Sequence, residues 1–319
     1  MKQICSLSWI FSLLLCMGTN AFAGGKGGSN VTEQGSPSAL ENPASFRGAE
    51  LYANFLGSDK IKIFLKEYFD YGANQFSETE AVSLQESELM MSKKIVLNKD
   101  SIVHIENLGA QSSTSSNSGR TTMVIYSTEI DLGTAHANYD ITWGYVFMNK
   151  SEFANLDDKV NQGFALATHV TNEGRMMPKN AMPSLSALPT FILKPNTNGS
   201  MVIKPIDPDG DMSSVEISAP YSLLSNSSNK NMQNNNIPVL KQGSIITGKS
   251  PLKTVQYKSG YSIDNPINAK IFSIDKNTGM FKYEARNQIG KYLAAITIKE
   301  IKDNNIISEH QCVFIIDVQ

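Results

Sequence analysis

The chain has 319 residues, with 28 Lys and Arg against 30 Asp and Glu, and three cysteines. A nearly balanced and evenly spread charge excludes the clustered basic surface that nucleic-acid binding requires. The length accommodates two ordinary domains.

Lys2, the apolar run Trp9–Leu15 with Cys16 and Met17, and then Ala21-Phe22-Ala23 stand in the order of a cleavable export signal. The run is shorter than the roughly 20 residues a membrane-spanning helix needs. Leu15, rather than a small residue, precedes Cys16, which departs from a lipoprotein signal. Cleavage is expected before Gly24, making residues 1–23 a signal peptide and the mature chain secreted, surface-held or periplasmic. Removing them takes one Lys and no acid, so 27 basic side chains face 30 acidic ones. It also takes Cys5 and Cys16, leaving Cys312 without an intramolecular partner. No later segment is long and apolar enough to anchor the chain.

Residues 24–47 are rich in Gly, Ser, Pro and Asn and read as a flexible leader. From Gly48 the texture is all-β, with short β-branched or alternating runs between turn residues. These runs are 49–56, 60–68, 95–96, 102–105, 122–130, 139–148 and 164–170, with Gly57-Ser58-Asp59 as a tight turn and 111–119 as a polar loop. Residues 78–91 are the one stretch that reads as helical, a reading weakened by Val82 and Ser83. Three prolines in 176–189 mark a linker, so the domains are placed at 48–185 and 186–319. In the second block, runs at 191–193 and 201–206 precede an Asn-rich loop at 226–236. The final segment reads as a long hairpin: Tyr292, Ala294, Ile296 and Ile298 alternate, Asp303-Asn304-Asn305 turn, and Cys312, Phe314, Ile316 and Val318 return on one face. That register buries Cys312 as an inert thiol.

Gly243 to Ser250 matches the G-x4-G-K-[ST] phosphate loop letter for letter. Pro251 follows at once and leaves no room for the helix whose amides would hold phosphate, so no nucleotide is expected. Asp207, Asp209 and Asp211 sit at alternate positions of an acidic turn and can converge on Ca²⁺, but Ser218 replaces the Glu of an EF-hand loop. The bland alternative is a solvated turn. His104, His136, His169 and His310 show no metal-ligand spacing, and His104 and His310 fall inside strands. Glu50, Glu67, Asp70 and Glu86 are glycosidase carboxylates by residue type only. Tyr68, Phe69, Tyr71 and Trp143 are aromatics able to stack on sugars, although Trp143 on a central strand reads first as a sandwich-core residue. Asn30, Asn149, Asn198 and Asn226 carry glycosylation sequons.

Ile206-Asp-Pro-Asp-Gly-Asp211 with Ser218-Ala-Pro-Tyr221, the turn Phe272-Ser-Ile-Asp275-Lys-Asn-Thr-Gly279, Gly290-Lys-Tyr292 and the last hairpin resemble bacterial cadherin-like or Ig-like repeats. Their order is similar to surface proteins of the Bacteroidota, of the PKD-type, gliding-motility-associated kind. Ala49–Tyr52, Ile61–Phe69 and Tyr139–Phe147 match the preceding domain more faintly, so the resemblance covers most of 48–319. The chain departs from these proteins in lacking the first domain's cysteines, including a Cys-Cys pair near Asn149. It also stops after the final strand, without further repeats or a sorting domain.

The resemblance implies two tandem Ig-like or cadherin-like β-sandwiches and a non-enzymatic protein of adhesion or surface interaction, with other surface proteins or glycans as partners. It adds Asp275 to Asp207, Asp209 and Asp211 as a Ca²⁺-stiffening set. A carbohydrate-binding module using Trp143, or a glycan-processing accessory, is the alternative from another class. A subunit of an envelope secretion or surface assembly is the third.

Overall fold

Alternation builds the first hairpin. Ala49, Leu51, Ala53 and Phe55 of β1 (Phe46–Gly57) and Ile61, Ile63 and Leu65 of β2 (Lys60–Asp70) are all buried on one side, and the period of two makes that side a single apolar face. Gly57 and Asp59 both take positive φ at the turn, a conformation that Gly adopts freely and Asp tolerates.

The computed structural model describes residues 46–57, 59–86, 92–106, 120–133, 138–146, 152–157, 163–171, 180–188, 191–223 and 253–319. All of them lie in the compact unit Pro37–Gln319. The segments read as export signal and leader, apart from Phe46 and Arg47, the phosphate-loop match at 243–250, the Asn-rich loop, His136, Asn30, Asn149 and Asn226 fall outside the described residues.

The order continues with β3 (Thr79–Glu86), β4 (Ser92–Glu106), β5 (Arg120–Asp131), β6 (Tyr139–Val146), β7 (Gly163–Val170) and β8 (Asn180–Ala181). Then come β9 (Phe191–Leu193), β10 (Asn198–Val202), β11 (Met212–Ser218), β12 (Tyr221–Ser222), β13 (Ile271–Ile274), β14 (Met280–Glu284), β15 (Gly290–Lys302) and β16 (Asn305–Val318). The helical reading of 78–91 is corrected over 79–86, which form β3. Glu80, Val82 and Leu84 point inward there, so a period of two overrides the helix-forming residues around them. The runs at 95–96 and 102–105 belong to one strand, β4, whose register shifts between Lys99 and Ser101 against β5.

The chain is all-β, as read from its sequence. Strand pairing nevertheless crosses the 185/186 division expected for two tandem sandwiches. Seven strands of the first block pair antiparallel in the order β1-β2-β5-β4-β3-β6-β7, and β16 of the second block closes the circuit. One edge of β16 is occupied by β15 from Gly290 to Lys302. Its other edge is shared: Ser308–His310 pair with Thr168–Val170 of β7, Cys312–Phe314 with Gly48–Glu50 of β1, and Ile316–Val318 in parallel with β9. The eight strands thus form a closed barrel, which removes the exposed edges of β1 and β7 where they pair with β16.

The last hairpin separates two cores. Leu293, Ala295, Val313 and Ile315 face the barrel interior with Leu51, Ile63, Leu97, Trp143 and Leu166. Tyr292, Ala294, Ile296, Ile298, Cys312, Phe314, Ile316 and Val318 face the other way, toward Phe191, Val215, Ile203 and Phe281. Phe281 comes from the small sheet β10-β14-β13, and Phe191 stacks on Phe314 with centroids 4.3 Å apart. The turn of the hairpin holds Asp303 and Asn304 at φ 50° and 65°, the mirror-image two-residue turn whose twist matches its strands.

Gly48 is a point of close approach in the seam. A Cβ there would lie 2.5 Å from both the Val313 carbonyl oxygen and Leu188 Cδ2.

Candidate functional site

The four carboxylates expected to gather round Ca²⁺ each have a local partner. Asp207 Oδ1 accepts from the amides of Asp209 and Gly210 at 2.8 and 2.9 Å, and Gly210 takes φ 84° to complete the turn. Asp209 Oδ2 accepts from Ala181 N at 2.5 Å. Asp211 pairs with Lys302 at 3.2 Å. Asp275 organises the β13–β14 turn, taking the amides of Asn277 and Thr278 and the Thr278 hydroxyl on Oδ1. These hydrogen bonds hold its carboxyl below the usual range. Among the described residues, no three of His, Cys, Asp or Glu are grouped as metal ligands.

The acidic turn instead docks on a buried polar site that composition did not reveal. Ser184 and Ile206 exchange both backbone hydrogen bonds, at 3.0 and 2.9 Å, and so bring 207–211 beside β8. Asn180 Nδ2 donates to Glu300 Oε2 at 3.0 Å, and Ser308 Oγ donates to the same oxygen. Both Asn180 and Glu300 are fully buried. Burial raises Glu300 to about 7, outweighing those two hydrogen bonds, and the negative charges of Asp207 and Asp211 act in the same direction. Burial likewise raises Asp207 against its backbone hydrogen bonds. Three buried oxygens have no hydrogen-bond partner here: Asn180 Oδ1, Asp207 Oδ2 and Glu300 Oε1.

Of the two readings of Trp143, the core one holds and the exposed stacking platform is corrected: it is a barrel-core residue. It has no solvent exposure, because its strand places odd-numbered residues inward along with Ile141 and Tyr145. Its indole Nε1 donates to Glu80 Oε2 at 3.2 Å. Burial raises the Glu80 carboxyl to about 7 in spite of that bond. The alternation Glu80, Val82, Leu84 was the available sequence signal for Glu80. Tyr126, on the neighbouring wall, has both Glu67 and Glu80 within electrostatic reach, and burial dominates the rise of its hydroxyl.

Of the other carboxylates named by type, Asp70 binds Arg47 at 2.5 Å, and Arg47 also reaches Asp317 at 3.1 Å, tying β2 and β16 to β1. Glu86 ends β3 opposite Tyr139. Glu67 and Glu50 are buried on opposite sides of the barrel wall, since Glu67 shares the inward parity of Leu65 whereas Glu50 alternates with inward Ala49 and Leu51. Glu50 lies outside the barrel, in a sealed cluster. Its Oε1 accepts from Leu185 N at 2.9 Å and contacts His310 Nε2 at 3.2 Å, and its Oε2 is 3.4 Å from Lys66 Nζ. Lys66 donates to Leu185 O at 2.7 Å and Ser184 Oγ at 3.2 Å and lies over the Tyr52 ring. Burial pushes Glu50 up, but Lys66 and His310 outweigh it and hold the carboxyl below its ordinary value.

Among the remaining histidines, His104 contacts Thr122 Oγ1, and His169 pairs with Asp140 at 2.8 Å. The exposed Tyr71 ring lies against His104 and Arg120, at 5.5 and 5.4 Å. Comparison with protein-family models, curated proteins and solved structures finds no match to this chain.

Proposed function

We propose that this is an exported, non-enzymatic β protein that works by contact with other surface proteins, in adhesion or within an envelope assembly. The observation that carries the reading is an apolar row across the free end of the sheet. Met212 pairs with Ile301, and Ile301 with Ile306, so the three side chains stand side by side. Met212 is 66% exposed and Ile306 50%. Ile206, 58% exposed, lies at the start of the acidic turn that leads into Met212. Exposed apolar patches bounded by polar residues mark protein interaction sites more often than chance surface. Here Asp211, Lys302 and Asn304 provide the polar border.

The residues around the second core, 191–218 and 253–319, are the part we read as Ig-like or cadherin-like, in keeping with the resemblance of their turns to Bacteroidota surface proteins. The test is capture from the native envelope by the mature chain and by a Met212→Lys, Ile306→Lys variant. A partner retained by the first and lost by the second supports the reading. Equal capture by both overturns it.

A glycan-binding reading is favoured by one observation, the exposed Tyr71 ring bordered by Arg120 and His104. Saccharides are recognised by an aromatic face beside hydrogen-bonding side chains. Glycan-array binding that Tyr71→Ala abolishes would select it over the protein-partner reading.

A further inference from the structure

We propose that Asn180 Oδ1, Asp207 Oδ2 and Glu300 Oε1 are the protein ligands of one hard divalent cation, Ca²⁺ in kind, bound where the acidic turn meets β8 and β15. Three oxygens are buried without a hydrogen-bond partner, and their side chains adjoin: Asn180 donates to Glu300, and Asp207 lies within electrostatic reach of Glu300. Glu300 and Asn180 have essentially no exposure, and unpaired acceptors in that setting are costly unless a proton donor or a cation reaches them.

Each of the three side chains has its other polar atom engaged. Glu300 spends Oε2 on Asn180 and Ser308. Asp207 spends Oδ1 on the turn amides of Asp209 and Gly210. Asn180 donates from Nδ2 to Glu300, which fixes its oxygen as the free end. Flipping the amide would set oxygen against the Glu300 carboxylate. Two carboxylates and an amide oxygen form an all-oxygen set with two negative charges, which matches a divalent cation in charge and hardness. Ca²⁺ suits it better than Mg²⁺. Ca²⁺ accepts irregular protein oxygens and sheds water readily, whereas Mg²⁺ keeps an octahedral water shell. Water would fill its remaining positions.

The ligand set differs from the one suggested by the sequence. Asp209, Asp211 and Asp275 are engaged elsewhere, and only Asp207 is common to both sets. The inference stands on this site alone and is independent of the partner-contact reading.

Thermal unfolding of the mature chain in EDTA and in 10 mM Ca²⁺ tests it, with Glu300→Gln, Asp207→Asn and Asp275→Asn alongside. Wild type and Asp275→Asn should melt at least about 3 °C higher in Ca²⁺. Asp207→Asn should lose most of that shift. Glu300→Gln should lose all of it and yet melt in EDTA no lower than wild type, because its amide supplies a donor where the cation sat. That last result separates loss of a ligand from loss of the fold. A Ca²⁺ shift that survives Glu300→Gln overturns the ligand assignment. No Ca²⁺ shift in wild type also overturns it, and a melting point in EDTA that rises toward pH 5 in wild type but not in Glu300→Gln then makes a proton held by Glu300 the occupant. Capture of a partner is read separately and does not depend on either result.

Discussion

His310 and Glu50 lie 260 positions apart in the chain and meet through Nε2 and Oε1 at 3.2 Å, both with no solvent exposure. They join the last strand to the first beside Lys66, at the seam where β16 closes the barrel. The same carboxylate accepts the Leu185 amide and so also fixes the segment that crosses over the seam.

Breaking this cluster on one side should be worse than removing it. Lys66→Met leaves Glu50 charged, buried and without its cation, and should cost about 3–5 kcal/mol in urea unfolding. Adding Glu50→Gln should recover part of the loss, giving a double-mutant coupling of about 1 kcal/mol or more. Simple additivity of the two changes would show that the pair is not coupled.

Glu80 provides a pH readout. Its folded value, about 7, lies above the usual carboxylate range because of burial. Below about pH 4.5 both folded and unfolded forms hold the proton, and its contribution to stability is fully present. As pH rises toward 7 the unfolded chain loses the proton first, so stability falls through that window. Glu300 has the same sign, so melting temperature alone does not isolate Glu80. Trp143 does in a chain that begins at Gly24, since the only other tryptophan is Trp9. The fluorescence of that chain should titrate with a midpoint near 7 and become flat in Glu80→Gln.

Two glycines with positive φ should differ in their tolerance of alanine. At Gly279, φ 67°, a Cβ would lie 2.2 Å from the Ile203 carbonyl oxygen, whereas at Gly210, φ 84°, it meets nothing within 4 Å. Gly210→Ala should cost only the backbone strain, about 1 kcal/mol. Gly279→Ala must also displace backbone and should cost at least about 2 kcal/mol more, measured as the difference in urea midpoints at constant slope.

Cys312 is fully buried and burial pushes its thiol well above the ordinary value. In a native chain that begins at Gly24, a thiol-reactive dye should leave it unmodified, and in denaturant the dye should label it stoichiometrically. Rapid labelling without denaturant would mean that the seam opens readily.

Much of the strand layout was legible. The first hairpin, the last hairpin with its Asp303-Asn304 turn, and the two-faced alternation from Tyr292 to Val318 follow from local periodicity and turn chemistry. The error at 79–86 arose because composition competes with a period of two when a strand carries Glu, Gln and Ala. Asp207, Asp209, Asp211 and Asp275 could be read as a group because acids on turns stand out in sequence. Their separate engagements could not, because each partner, such as Ala181 or Lys302, is distant along the chain or is a backbone amide.

By itself the sequence determined the all-β character, the places of most strands, and which face of the last hairpin is apolar, since these depend on side chains a few residues apart. Only the tertiary structure decided that both faces of that hairpin are buried, one in each core, and that β16 closes a barrel begun by β1. It likewise decided that Trp143 is inward and that Asn180, Asp207 and Glu300 come together. Those outcomes depend on pairings across tens to hundreds of residues, which a pattern of nearest neighbours does not encode and which form only as the sheet closes and excludes water.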